Sequence, residues 1–352
     1  MAARRADCVV PKVRGKKLLS AKKSIRRHHC RVGVITYRFS SRVAKRRVLA
    51  QNPPAHAHRK RGAKVKLVVS KGPKTTAGPC GSKAGHASTI SKVMWILMEN
   101  KDYSSVYNDS AAPYETKIAN KCGLASNYHA VSHPSLPNYV ALTSGSTQGI
   151  TDDDGPSSHP LDVKSIYGQA YPSAQGYAES MPSNCDLSGS GDYAVRHNPW
   201  TYYVDGAAGK QRAECRAKDV SYSSPTSGAL YNDVRAGALP AFSFVTPNLC
   251  NDMHDCSVAT GDAYLHKLVP MILAGPDYRR GKLAVVIVFD ENDGGSGNQV
   301  YAAVISPFTA PGKKVGKRFT HYSLLRTTEE ILRKPLLRNA ATAASMRASF
   351  GL

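Results

Sequence analysis

The chain has 352 residues, enough for two domains, and its 41% hydrophobic content can bury a real core. No apolar run approaches the roughly 18 residues that a membrane-crossing helix needs, so no membrane span is expected. The formal charge of +23 is unevenly placed: residues 1–76 hold 23 Lys and Arg against one acid, Asp7, while residues 77–352 hold 25 against 24. A basic head on a nearly neutral body is a domain boundary written in charge. Such a head suits nucleic acid, anionic lipid or an anionic wall polymer. It has neither zinc-finger spacing nor an RNA-binding motif, so nucleic acid is not expected.

The head reads as one small unit over residues 1–73. "CVVPKVRGKKLLSAKKSIRRHHC" predicts a short strand, a turn at Gly15 and a helix with Leu18, Leu19, Ala21 and Ile25 among basic residues. "RVGVITYRFSS" alternates like a strand. "RVLAQNPPAHAHRKRGAKVKLVVSKGPK" predicts a strand, a proline turn and a closing strand through Val65, Leu67 and Val69. On "VPKVRGKKLLSAKKSI", "VLAQNPP" and "AKVKLVVSKGP" this unit resembles a PASTA domain, a small α+β module. The resemblance implies an extracytoplasmic setting, a Cys8–Cys30 bridge, and peptidoglycan or an anionic wall polymer as partner. Residues 74–91, small and polar with Gly and Pro, read as a linker.

Residues 92–352 form the body. "VMWILM" (93–98), "AFSFVT" (241–246), "LAVVIVF" (283–289) and "VYAAVIS" (300–306) are short apolar runs that suit buried parallel strands. Helical patterns lie between them, at 262–273 and 323–332. The alternation predicts a layered α/β domain. Eight cysteines without a C-x-x-C pair argue for disulfides and an oxidising compartment rather than a zinc ribbon or a thioredoxin-like site. Cys250 and Cys256 close a short loop, and Cys185 with Cys215 is a second candidate pair. "MAARRADC" shows no export signal. The expectation is therefore an extracellular or wall-associated protein whose biological start is not Met1, or whose start is truncated.

Ligands of open α/β sheets bind beyond the carboxyl ends of strands. Glu99 and Asn100 follow the first run. "LCNDMHDC", with Asp252, His254 and Asp255, follows the second. Asp290, Glu291, Asn292 and Asp293 follow the third. Three strands thus release metal-capable groups at one edge. Asp290 and Glu291 are adjacent, so they suit ligation of one cation better than the opposed carboxylates of a glycosidase. "DENDGG" lacks the register and distal Glu of an EF-hand, and "TDDDG" (151–155) reads as a surface turn. "SHPSLPNYVALTSG" (132–145) predicts a helix with Pro137 in its first turn and Gly145 as its stop. Ser135 then stands at a helix N-terminus, where amides and the dipole favour an anion. A metal-activated hydroxyl there can attack phosphorus, and Asn138 can donate to a phosphoryl oxygen.

Together "MEN" (98–100), "HAVSHPSLPNYVALTSGST" (129–147), "HNPW" (197–200), "TPNLCNDMHDC" (246–256), "FDEN" (289–292) and "THYSLLRTTEE" (320–330) resemble the phosphoesterase family of acid phosphatases and bacterial phospholipases C, within the alkaline-phosphatase-like metalloenzymes. The resemblance implies a three-layer α/β/α sandwich and hydrolysis of a phosphate ester through a phosphoserine. It makes Ser135 the nucleophile, Glu99, Asp290 and Glu291 metal ligands, and places Asn100 near metal and phosphate. His254, His321 and His197 are the histidines that would hold the phosphoryl group, complete the metal shell or protonate the leaving group. "DEN" stands where many superfamily members carry Asp-His, which implies one divalent metal held mostly by oxygens: Ca²⁺, Mg²⁺ or Mn²⁺, with zinc or iron still open. His129, His133 and His266 read as supporting or packing residues. The short body favours phosphomonoesters. A phospholipase C-like phosphodiesterase and a non-catalytic wall-binding protein are the alternatives.

Overall fold

The runs at 93–98, 241–246 and 283–289 become the centre of one sheet. The structure, a computed structural model, describes residues 7–40, 43–71, 78–83 and 87–352. The chain divides into two units, Met1–Thr76 and Ala77–Leu352. The expected boundary at 73, and residues 74–77 and 84–86 of the expected linker, lie outside the described residues.

In the first unit, helix α1 (Leu18–Arg27) turns Ala21 and Ile25 inward onto a three-stranded sheet. Its strands are β1 (Arg31–Arg38), β2 (Val48–Asn52) and β3 (Lys64–Ser70), with β3 central. Along β3, Val65, Leu67 and Val69 are buried while Lys64 and Lys66 are exposed, the period of two expected of a strand with one solvated face. The core is small, formed by Val10, Val13, Ala21, Ile25, Val48, Val65, Leu67 and Val69. A Cys8–Cys30 disulfide staples it.

The second unit is built on an eight-stranded sheet. In chain order its strands are β4 (Lys92–Met98), β5 (Gly123–Ala125), β6 (Ala174–Glu179), β7 (Asp219–Tyr222), β8 (Phe242–Thr246), β9 (Leu283–Phe289), β10 (Ala302–Ile305) and β11 (Lys313–Val315). Their order across the sheet is β7-β6-β8-β4-β9-β10-β5-β11. The first five are parallel. β10 runs antiparallel to β9, which corrects the expectation of a parallel strand at 300–306. Between Phe289 and Ala302 the chain holds only a short 3₁₀ turn and the two-residue strand Gln299–Val300, and a parallel return needs a longer crossover, normally with a helix.

Helices cover both faces. One group includes α2 (Ser135–Ser144) and α4 (His321–Leu332); another includes α3 (Val258–Ala274). Trp95 of β4 donates to Thr328 Oγ1 of α4 at 3.0 Å and so pins that helix to the sheet. The result is a three-layer α/β/α sandwich with a small α+β module at its N-terminus. Disulfides Cys80–Cys122, Cys185–Cys215 and Cys250–Cys256 tie the loops of the larger unit. Among the described residues no helix is long and apolar enough to cross a membrane.

Candidate active site

Parallel pairing brings the strand ends together. Phe289 lies opposite Met98 in the ladder, so Glu99 and Asp290 emerge side by side. Asp290 Oδ1 accepts from the Asn100 amide at 3.1 Å. The loop after β8 returns Asp252 to the same edge, where its carbonyl accepts from the Glu99 amide at 2.9 Å. Glu179, ending β6, accepts from the Asn248 amide and from Asn251 Nδ2, which shapes that loop.

Ser135 is the first residue of α2, two residues ahead of the start suggested by Pro137, and is buried. Its Oγ lies 3.1 Å from Glu99 Oε2 and 3.3 Å from Glu291 Oε1. The helix stops at Gly145 in the left-handed region, φ 79°. A Cβ there would lie 2.3 Å from the Leu337 carbonyl oxygen, so only glycine fits the ending.

His197 occupies a short 3₁₀ turn and is buried against the other side of Glu99. Its Nδ1 donates to Asp252 Oδ2 at 3.2 Å, and Nε2 faces Glu99 Oε1 at 3.4 Å. Burial, and then Arg196, lower its pKa to about 3, so the ring is neutral and the Nε2 lone pair points at a carboxylate oxygen. Tyr139 stacks on it, ring centroids 5.4 Å apart and 4° from parallel, and donates a short hydrogen bond to Glu99 Oε1.

Four carboxyls are thus buried in one crevice. Burial, then Asp290 and Asp252, push Glu99 well above the carboxylate range. Burial raises Asp290 and lifts Asp252 to about 7. Burial followed by Asp290 lifts Glu291 to about 8. Each shift states that the charged form is unfavourable as the crevice stands. Asp290 Oδ2 is buried with no hydrogen-bond partner. Glu99, His197 and Asp252 each offer a ligand atom within 4.8 Å of the others. Facing lone pairs, an orphaned carboxylate oxygen and mutual repulsion all fit a divalent cation. Among the described residues two other groups have metal-like composition: in one, Cys185 and Cys215 are disulfide-bonded, and the other, Asp152, Asp154 and His159, lies near the surface.

The structure separates the remaining candidates. Asn138 does not face a substrate. Its Oδ1 accepts from the Val131 and Ser132 amides, and Nδ2 donates to the Ser132 and Pro134 carbonyls, so it braces the loop before Ser135. His321 is fully buried. Its Nε2 donates to the Asp290 carbonyl at 2.6 Å and Nδ1 accepts from Tyr128 Oη at 3.1 Å. Burial lowers its pKa to about 4, so it positions backbone and is not set to protonate a leaving group. His254 is at the rim, its side chain 26% exposed. Asp255 holds Nδ1 at 2.6 Å, and Nε2 accepts from Arg196 at 3.0 Å. Asn100 contributes its amide to Asp290 from a left-handed conformation, φ 53°. Of the supporting histidines, His129 bridges Gly297 and Asn127, and His266 stacks on Tyr114. His133 contacts Glu291 Oε2 at 2.5 Å.

The sequence names Asp252 as a metal-capable group without assigning it a role, and Arg196 and Tyr139 were missing from the sequence-derived set. Asp252 lies in the segment flagged after β8, and Arg196 precedes "HNPW". Tyr139 is four residues from Ser135, hence on the same helical face.

The phosphoesterase family model matches residues 83–333. The chain belongs to the phosphoesterase family. As a member it is a phosphoric ester hydrolase, and the PASTA domain model matches residues 9–71 of its basic unit. A protein of Mycobacterium tuberculosis named phosphatidylinositol-3-phosphatase is 29% identical over 72% of this chain and 81% of its own length. A phosphate-repressible acid phosphatase of Penicillium chrysogenum is 29% identical over 65% of this chain. The phosphoesterase spans only 56% of that fungal relative's length. A lipoteichoic acid synthase of Listeria monocytogenes superposes on 74% of this chain and 78% of its own with a TM-score of 0.50 at 10% identity. A Vibrio parahaemolyticus protein in the alkaline phosphatase superfamily superposes on 74% of this chain and 71% of its own, with a TM-score of 0.49 at 10% identity. At that identity the superposition on the synthase shows a shared fold alone. Four disulfides and a PASTA domain fit an extracytoplasmic setting.

Proposed function

We propose that the larger unit is a metal-dependent phosphatase of the acid-phosphatase type, cleaving phosphate monoesters through a phosphoserine at Ser135. The observation that carries this reading is Ser135 Oγ, buried at a helix N-terminus and within 3.3 Å of both Glu99 and Glu291. Glu99, His197, Asp252, Asp290 and Glu291 are the residues that would hold the cation, with Asn100 beside them. Carboxylates and one imidazole suit Mn²⁺, Mg²⁺ or Ca²⁺, and the imidazole leaves Zn²⁺ and Fe²⁺ open. A cation bound there supplies Lewis acidity for the serine hydroxyl and the phosphoryl oxygens.

The side chains divide the remaining work. Glu99 and Glu291 accept from the Ser135 hydroxyl and aim Oγ into the crevice. Ser135 Oγ bonds to phosphorus as the alcohol leaves, and water then releases phosphate and restores the serine. Arg196 is the cation at the rim that meets phosphoryl oxygens; His254, held by Asp255, accepts from Arg196 and keeps it there, and the leaving alcohol takes up the proton that the Ser135 hydroxyl gives up. Asn138 and His321 hold the loop and strand end that carry Ser135 and Asp290.

The names of the fungal and mycobacterial relatives support monoesters over diesters, and the mycobacterial name adds lipid phosphates to the candidates. The basic PASTA unit is read as an anchor to an anionic extracytoplasmic surface, such as a wall polymer. The test is hydrolysis of a panel of mono-, di- and lipid phosphates by the purified full chain, with and without EDTA, alongside Ser135→Ala. EDTA-sensitive cleavage of monoesters, absent from Ser135→Ala, is expected. Wild-type-like turnover in Ser135→Ala overturns the nucleophile, diester preference overturns the substrate class, and no turnover with any metal favours a binding protein.

A further inference from the structure

The PASTA unit exposes apolar side chains where its charge is positive. Leu19, Val34, Tyr37 and Phe39 of this unit are exposed, against two further large hydrophobic residues, Tyr171 and Leu187, among the described residues of the much longer second unit. Leu19 is 75% exposed, Tyr37 53% and Phe39 54%. Leu19 and Tyr37 line one cavity of about 620 Å³, between the start of α1 and the end of the sheet. Phe39 is two positions beyond Tyr37, one residue past the end of β1. Lys17, Lys45, Arg46 and Arg47 line the cavity that Leu19 and Tyr37 line, and Lys71 Nζ lies 5.2 Å over the Phe39 ring.

The frame under this patch is fixed. The Arg46 amide donates to the Ser70 carbonyl, and the Arg46 carbonyl accepts from the Leu18 amide, which joins helix, loop and sheet through backbone. The charges are not neutralised from within, because residues 1–76 hold 23 Lys and Arg and one acid. Among the described residues no lysine or arginine of this unit forms an ion pair.

We propose that this patch binds the surface of an anionic phospholipid bilayer, with Leu19, Tyr37 and Phe39 entering the interface and Lys17, Lys45, Arg46, Arg47 and Lys71 on the headgroups. The proposal rests on reading the unit as an anionic-surface anchor and narrows it. Cations alone would serve a hydrated wall polymer equally well. An exposed leucine beside them gains little from a polymer that stays in water, and it gains burial, with the aromatic rings, at a lipid interface. Aromatic rings with basic neighbours are the residue types that settle at the headgroup level. Charge and apolar insertion are the two signals that stable interfacial binding needs.

The test is sedimentation of the full chain with vesicles of phosphatidylcholine, with or without phosphatidylglycerol, and separately with peptidoglycan sacculi. Binding to phosphatidylglycerol vesicles is expected, weak for phosphatidylcholine alone. Replacing Lys17, Lys45 and Arg46 by Gln should weaken it about 100-fold, roughly fivefold per cation. Replacing Leu19, Tyr37 and Phe39 by Ser, with charge unchanged, should weaken it about tenfold or more. An unchanged thermal transition confirms that either variant folds. Vesicle binding that ignores the apolar triple variant and vanishes in high salt overturns the lipid proposal. So does binding to sacculi without binding to anionic vesicles, although the surface-anchor reading then survives. Binding to neither overturns both.

Discussion

The two units use charge in opposite ways. The PASTA unit places nearly all its charge outward, of one sign, without ion pairs among the described residues. The phosphoesterase unit balances 25 cations with 24 acids, yet buries Glu99, Asp252, Asp290 and Glu291 together. Outward like charge weakens a fold only modestly and leaves a field for a partner. Buried like charge is costly unless something compensates it. The difference teaches where chemistry sits: the crevice tolerates an arrangement that folding alone disfavours, while the basic surface is a matter of recognition.

The sharpest way to break that contrast is the serine. Ser135→Ala should cut kcat by about a thousandfold or more with the thermal transition unchanged, measured on the same preparation. Next is the cation. A chelator should abolish turnover and lower the melting transition of the phosphoesterase unit, since a ligand that binds only the native state stabilises it. The PASTA transition should not move, and calorimetry of the full chain reads both. Asp252→Asn should reproduce a milder form, weakening metal affinity by at least about tenfold. Asn138→Ala should destabilise the phosphoesterase unit by about 2–4 kcal/mol, because it leaves the Val131 and Ser132 amides and two carbonyls without partners. Denaturant titration measures it.

The smallest effect expected concerns pH. Asp219 is fully buried and accepts from Asn198 Nδ2 at 2.7 Å; burial lifts its pKa to about 7. Burial also lifts Glu329 to about 8. Each binds its proton in the folded state at pH values where the unfolded chain has released it. The folded state therefore holds more protons between about pH 4 and the raised values, and stability falls as pH rises through that window. Asp219→Asn should flatten the slope between about pH 4 and 7, read by melting temperature against pH. The PASTA unit, with Asp7 its only acid, should show no such slope.

Much of this fold was legible because its signals are local. Val65, Leu67 and Val69 alternate, so one face of β3 had to be buried. The runs at 93–98 and 283–289 are apolar throughout, so both their faces had to be covered. A polar group following such a run stands at the edge where parallel sheets bind ligands, which located Glu99, Asp290 and Glu291. The direction of β10 was not legible, because its run carries no mark of the missing crossover. Asn138 and His321 show the same limit at the site. Their residue types allow contact with a phosphoryl group, and only the neighbours decide otherwise: the 131–134 loop engages one amide, and Tyr128 with the Asp290 carbonyl engages one ring.

By itself the sequence determined the two-unit layout, the layered α/β body and the edge of the sheet where polar residues gather, because periodicity and charge are properties of the chain; the sandwich and the family followed from the resemblance of its motifs. Tertiary structure alone decided which atoms meet: Ser135 Oγ between Glu99 and Glu291, His197 and Asp252 closing on Glu99, Arg196 on His254. Those distances depend on strand register and loop return across 36 to 156 residues of chain, and no local pattern encodes them.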